Sequence, residues 1–490
     1  MSTPTAQPAR RRLAAIVAAA AAALMAGASP AAAQAAGARA VSGGAWGTAR
    51  EVTGLAALNQ GGFANITSVS CASPGTCSAG GSYTDSSGGG QAFVVSEVNG
   101  SWGKAKEVPG LAALNQGGSA LITSVSCARA GTCAAGGSYT DSSGGGQAFV
   151  VSETNGTWGA AEQVPGIAAL NSGGSAFTGS VSCAAAASCA AGGWYTDSSG
   201  GQQAFVVNET NGSWGTAQEI PGTAALNQGG SAFTGSLSCA RAGTCAAGGW
   251  YTDSSGGQQA FVVSEAGGRW GIAQQVPGTA ALNQAGSAGT TSVSCTPAGT
   301  CTAAGGYTDG SGSGQAFVVS EVGGTWGTAQ QIPGTAALNQ GGNADPVSVS
   351  CARAGSCAVG GFYKDGSGHY QAFVASKTNG TWGAAEQVPG TAALNQGGHA
   401  FTNAVSCAAA GTCSAGGFYF DGSGHRQAFV VTEVNGTWGT AQEVPGTAAL
   451  NQGGNAETLS VSCAGAGTCA AGGIYTDSSG HHQAFVVTKA

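Results

Sequence analysis

Charged side chains are scarce in this sequence. Asp, Glu, Lys and Arg together make up 8% of its 490 residues, where an ordinary globular chain carries about a quarter. Hydrophobic residues still reach 42%, so the shortage of charge is not that of a disordered chain, which would also be poor in apolar residues. The formal net charge is −7 and no basic run offsets it. That excludes the electrostatic footprint of a nucleic-acid binder and leaves no basic amphipathic stretch to lie on a membrane surface. The only methionines are Met1 and Met25, and the five histidines all follow residue 368. Nucleophile elbow, H-E-x-x-H and phosphate-loop motifs are absent. No cysteine is left over from pairing, and no insertion or deletion interrupts the repeat described below.

What the chain does have begins with a targeting segment. Arg10, Arg11 and Arg12 precede an apolar run from Leu13 to Ala26, and small residues including Ala31, Ala32 and Ala33 follow. This is the pattern of a secretory signal peptide, with cleavage expected after Ala33 or Ala36. The run is too short for a membrane span. Residues 1–36 are assigned to the signal, 37–44 to a short linker and 45–490 to one repeat domain. The expectation is a secreted, extracellular monomer with no membrane span in the mature chain.

Tryptophans fall at 46, 102, 158, 214, 270, 326, 382 and 438, always 56 residues apart. Self-similarity at a fixed period decides the fold before any local pattern does. One period holds four strand candidates: 66–71, 76–83, 91–97 and 101–108. Asn99-Gly100 between the last two is a strong hairpin signal. The third is apolar on both faces, as a sheet covered on both sides requires. Four antiparallel strands per repeat of this length predict a propeller blade. The chain opens with a fourth-strand sequence, "AWGTAREV" (45–52), and closes on a third strand (483–489) with no fourth after it. Pairing the two would close an all-β, eight-bladed β-propeller and remove its exposed edge.

"AGGSY", with Trp102 19 residues after Tyr83, resembles the kelch pattern. "YTDSSGGGQAF" resembles the Asp-box turn of sialidase-like propellers, with a different glycine spacing. Over residues 46–490 the chain is most similar to secreted, disulfide-bearing repeat proteins of actinobacterial type. These resemblances imply a propeller and leave activity open.

Sixteen cysteines form eight C-x5-C pairs. In an oxidising compartment the reading is eight local disulfides: Cys71–Cys77, Cys127–Cys133, Cys183–Cys189, Cys239–Cys245, Cys295–Cys301, Cys351–Cys357, Cys407–Cys413 and Cys463–Cys469. Each seven-residue loop is worth about 2 kcal/mol in the chain-entropy model. A zinc site would want closer spacing and further ligands.

Candidate binding residues recur as rings. The strand-two-to-three turns carry Asp85, Asp141, Asp197, Asp253, Asp309, Asp365, Asp421 and Asp477. The blade-to-blade loops ("GLAALNQGG") carry Asn59, Asn115, Asn171, Asn227, Asn283, Asn339, Asn395 and Asn451. In a propeller these two loop sets share one face. A neutral polar face with aromatics suits glycans, and eight copies give avidity. The competing reading of the same residues is turn capping. No cofactor is expected, and calcium at the Asp turns is the alternative, with one carboxylate per turn as thin support.

Two features break the symmetry. Residues 82, 138, 194, 250, 306, 362, 418 and 474 read Ser, Ser, Trp, Trp, Gly, Phe, Phe, Ile. His369, His425 and His481, with His399, His482, Lys364, Tyr370 and Arg426, gather late in the chain and are the candidate metal or anion site. Near-perfect repetition works against a unique catalytic constellation. The leading expectation is a secreted binding or scaffold module whose partner is a glycan or cell-surface polymer. The alternatives are a carbohydrate-active enzyme or oxidase using the late histidines, and a structural subunit of a secreted complex with a protein partner.

Overall fold

The structure is a computed structural model that describes residues 44–490. The signal segment (1–36) and linker residues 37–43 lie outside the described residues. β1 is Arg50–Glu51. The first blade then runs through β2 (Ala64–Ser73), β3 (Thr76–Thr84), β4 (Gly90–Val98), β5 (Ser101–Trp102) and β6 (Lys106–Glu107). Their order is β2-β3-β4-β5, with β6 also on β4, and all pairs are antiparallel. Six further sheets repeat this plan, and an eighth holds the last three long strands with β1. The chain is an eight-bladed β-propeller with a closed ring.

Each β-element follows from local chemistry. Ala92 to Val95 in β4 are all at most 2% exposed, because neighbouring blades cover both faces. The β4–β5 turn needs two residues with positive φ, and Asn99 (50°) and Gly100 (75°) supply them. Closure is made at β1, where Arg50 pairs with Val486 and Glu51 with Phe485, while Trp46 bridges Lys489. The Ala49 N–H donates to Pro445 O at 2.7 Å, as Ala161 N–H does to Pro109 O inside the chain. The opening segment therefore sits where any fourth strand sits.

The fourth strand, expected as one piece over 101–108, is interrupted. The Gly103 N–H returns to Ser96 O, and the Ala105 N–H leaves the sheet for Thr53 O in the preceding linker. That detour ties each blade to the loop before it. The blade-to-blade loop also contains one helical turn, such as Leu111–Leu114.

Blades meet closely because the Gly-Gly pair of the second strand carries no side chain there. A Cβ on Gly80 would run into Ile122 and Val125 of the next blade, and one on Gly81 into the Asn65 carbonyl of its own. The first strands stand innermost, and each leaves an edge unpaired toward its neighbour. Serine hydroxyls meet that need. Ser70 Oγ accepts the Cys127 N–H at 2.9 Å, and the equivalent bond recurs at every junction. Ser68 Oγ likewise accepts the Val125 N–H.

All eight disulfides form as paired, and no cysteine is free. They clip the first hairpin of each blade at the end away from the long loops. They point to folding in an oxidising, extracellular environment. Among the described residues no helix is long and apolar enough to cross a membrane.

The serine bonds give a direct test. Ser182→Ala leaves the Cys239 N–H without its acceptor. A loss of about 1–3 kcal/mol is expected from one unpaired buried donor, read as a lower guanidinium unfolding midpoint, whereas Ser198→Ala on an exposed turn leaves the midpoint unchanged.

Candidate functional site

The turn between strands two and three and the blade-to-blade loop lie on one face. The bridge between Gly90 and Ser119 places one blade's turn beside the next blade's first strand, and the pattern recurs around the ring. On the opposite face the two short turns meet, with the Gly100 N–H on Gly75 O.

The aspartates organise their own turns. Asp85 Oδ1 accepts from the Ser87 N–H (2.8 Å), the Ser87 hydroxyl (2.6 Å) and the Gly89 N–H (3.0 Å). Oδ2 accepts from Gln91 Nε2 at 2.9 Å. The Ser87 hydroxyl first, and then Gln91, hold the Asp85 carboxyl down to about 2. The Gln–Asp bond recurs at Asp141, Asp197, Asp253, Asp309, Asp365, Asp421 and Asp477. With four donors on the carboxylate in blades one to five and three on Asp365, Asp421 and Asp477, each turn has little left for calcium.

The asparagines do not line the surface. All eight are buried, at 6–8% exposure. Asn115 Nδ2 donates to Gly90 O and to Gln91 Oε1, both at 3.0 Å. The Asn–Gln bond recurs at Asn171, Asn227, Asn283, Asn339, Asn395, Asn451 and Asn59. Gln91 thus links the Asp85 turn of one blade to the loop leading into the next. The residues left exposed beside this seam are the following glutamines, Gln60 and its equivalents with Ser172 in one copy, and the turn serines such as Ser86.

The late histidines are not brought together: His369, His399, His425 and His481 are exposed, and His482 is half-buried against Phe63 with its Nδ1 3.0 Å from the Thr476 hydroxyl. His369, His425 and His481 each donate a backbone N–H to their own turn aspartate, Asp365, Asp421 or Asp477. Their rings lie over Gly398, Gly454 and Gly62 of the next blade's loop. Among the described residues no three His, Cys, Asp or Glu side chains are grouped to hold a metal. His399 belongs elsewhere, against the rings of Tyr370 and Phe420.

The variable residues at 82 and its equivalents turn out to be half of a larger pattern. Each pairs across the strands with a residue 17 positions earlier: Asn65–Ser82, Leu121–Ser138, Phe177–Trp194, Phe233–Trp250, Gly289–Gly306, Asp345–Phe362, Phe401–Phe418 and Glu457–Ile474. These pairs sit at the loop-face end of the first and second strands, next to the central channel that a propeller ring encloses. They also touch from blade to blade, with Phe362 and Phe401 ring centroids 4.4 Å apart. The pattern was readable as a second column varying in step with the first, but only pairing register joins the two columns.

In blades six and seven this belt is aromatic. Phe401 stacks on Phe418 (5.0 Å, 15°), and Tyr370 lies 5.7 Å from Phe362 and 5.5 Å from Phe401. The Arg426 guanidinium covers Phe418 at 3.9 Å and pairs with Glu457 at 2.6 Å.

No family model and no curated protein matches the chain. Solved propellers do. The Hadza microbial sialidase Hz136 aligns at 13% identity and TM-score 0.35, over 64% of this chain and 65% of its own. A Trypanosoma rangeli sialidase aligns at 10% and 0.34, over 62% and 53%. A protein of unknown function from Dyadobacter fermentans aligns at 12% and 0.36, over 63% and 93%. The chain thus spans less than two thirds of both sialidases, and likeness at this level does not bear on activity.

The turn aspartates predict an acid limit. Their carboxyls are held low, so they stabilise the fold fully above about 3.8 and lose that contribution as pH falls toward about 2. Six buried glutamates at the disulfide end are pushed up by burial, so their contribution is present below 4.5 and fades as pH rises. Thermal unfolding against pH should peak on the mildly acid side and drop sharply between pH 3.8 and 2. A flat profile there would contradict the assigned turn geometry.

Proposed function

We propose that this protein is a secreted binding module that recognises glycans on its loop face. The observation that carries the reading is the aromatic belt of Phe362, Tyr370, Phe401 and Phe418 at the channel mouth. Phe362, Tyr370 and Phe401 are only partly buried, so their rings present apolar surface to solvent. Around them stand Arg426 over Phe418, Lys364 over Tyr370, Asp345 and Glu457, two cations against two carboxyls, with Asn343 on the Tyr370 hydroxyl. Sugar rings offer an apolar face and a hydroxyl rim, which is the complement of such a surface. The eight exposed Gln or Ser positions outside the belt provide weak, repeated polar contacts along a polymer. The buried asparagines and the occupied aspartate oxygens support the mouth without touching the ligand.

The test is a glycan array together with pull-down on bacterial and fungal walls. Tyr370→Ala with Phe401→Ala should weaken any hit about tenfold while the eight disulfides and the fold persist. Blank results on arrays and walls would sink the glycan reading. Turnover that disappears with His425→Ala or His481→Ala would favour an enzyme, and a stably co-purifying protein would favour a structural subunit.

A further inference from the structure

The belt of mouth pairs has one break. Blade five carries Gly289 paired with Gly306, where the neighbouring blades carry Phe233 with Trp250 and Asp345 with Phe362. Two consecutive links of the ring are therefore missing side chains. The result is a cleft of about 280 Å³ with Trp250 on one wall and Asp345 on the other. A Cβ on Gly289 would meet Trp250, and one on Gly306 would meet Asp345 Oδ1, so the two glycines keep both walls open. Thr291, Ser287 and Asn343 complete a neutral polar lining.

Asp345 is the anomaly of the site. Its Oδ1 is shut away from solvent with no hydrogen-bond partner. Burial pushes its carboxyl up to about 7. The only other titratable group lining the cleft is the Tyr307 phenol, itself pushed up by burial first and by Asp309 second. The equivalent position in blade eight shows the contrast. There Glu457 is also buried, yet it has Arg426 at 2.6 Å and Asn403 Nδ2 at 2.7 Å. One mouth carboxylate has its cation within the fold, and the other lines a cleft shared with an indole, with one oxygen covered and unpaired. A buried carboxylate is costly without a counter-charge, and indole walls favour cations.

We propose that the Gly289/Gly306 break is a binding cleft for a small ligand bearing a protonated amine, namely an amino-sugar unit, with its ammonium on Asp345 and its ring against Trp250. This rests on the glycan reading of the same face and names the sugar class for one subsite. The cleft's volume lies at the small end of ligand sites and suits a single sugar residue.

The experiment is calorimetric titration of the secreted chain with glucosamine, N-acetylglucosamine and glucose. Glucosamine should bind at least tenfold tighter than the other two. Asp345→Asn should abolish that preference, and Gly289→Phe, which copies blades three, four and seven, should block all three sugars without changing the unfolding midpoint. Tetramethylammonium, whose charge does not titrate, should bind more tightly as pH rises through 7 and Asp345 ionises. Equal affinity for the three sugars, no saturable binding of glucosamine, or an unchanged preference in Asp345→Asn would overturn the proposal. If glucosamine shows no saturable binding while wall glycans still bind the intact chain, this cleft is excluded and the glycan reading of the aromatic belt survives.

Discussion

The whole ring depends on a hydroxyl bond at the innermost strand. A propeller places its first strands side by side around an axis, too steeply splayed to extend one sheet into the next. Each such strand then presents unpaired N–H groups to its neighbour, and those groups are too buried to be left for water. Ser70 and Ser68, with their equivalents, reach across and accept them. The geometry works only if the two strands approach closely. That is why Gly80 faces the next blade with no side chain and why alanine and valine dominate the interface. The Ser70-type bond is made at all eight junctions that close the circle and the Ser68-type bond at seven, Ala404 standing at the eighth.

The same constraint accounts for where polar residues went. On the loop face, Gln91 joins the Asp85 turn to Asn115 of the next linker, a second stitch at larger radius. On the outside, Trp102 donates its indole N–H to Thr488 of the preceding blade at 3.1 Å. Inner, middle and outer radii each carry a side-chain bond between blades. Little of this needs charge, which agrees with a chain that has so few ionised residues. Where carboxylates are buried at the disulfide end, they replace one another at a single repeat position and are twice exchanged for lysine, Lys377 and Lys489, whose ammonium groups burial likewise disfavours.

Much of this was legible before any coordinates. The eight-fold period, Asn99-Gly100 and the apolar run at Ala92–Val95 specified blade, turn and buried sheet, because hairpin chemistry and two-sided burial are local properties. The complementary chain ends specified closure at Arg50–Glu51. The cysteine spacing specified the staples. What sequence could not deliver was the direction of side chains in loops. Asn115 and Asp85 look alike on paper, as polar residues in turns on a shared face. One is buried between blades and the other caps its own turn, and only the register of the third strand against the next linker separates them. The break at Gly103–Ala105 was hidden for a similar reason. The partner of the Ala105 N–H, Thr53, lies in another blade's linker.

Symmetry that strict narrows where specificity can reside. Most residues at a blade junction recur in nearly every blade and are occupied in holding the ring, so changing one copy costs stability without creating a distinct surface. The mouth pairs escape this limit. They face the channel opening, where side chains of any size fit, and across the eight blades they run from Gly to Trp and from Asp to Phe. Blades one and two present Asn65–Ser82 and Leu121–Ser138, three and four Phe–Trp pairs, six and seven an aromatic belt under Arg426, eight Glu457–Ile474, and five no side chain at all. The fold therefore holds a repeated frame and places much of its chemical individuality in sixteen positions around one opening, with Tyr370, Arg426 and the late histidines beside them. A binding partner that told one sector from another would have to read these pairs, and the most unequal neighbours among them are Trp250, the blade-five glycines and Asp345.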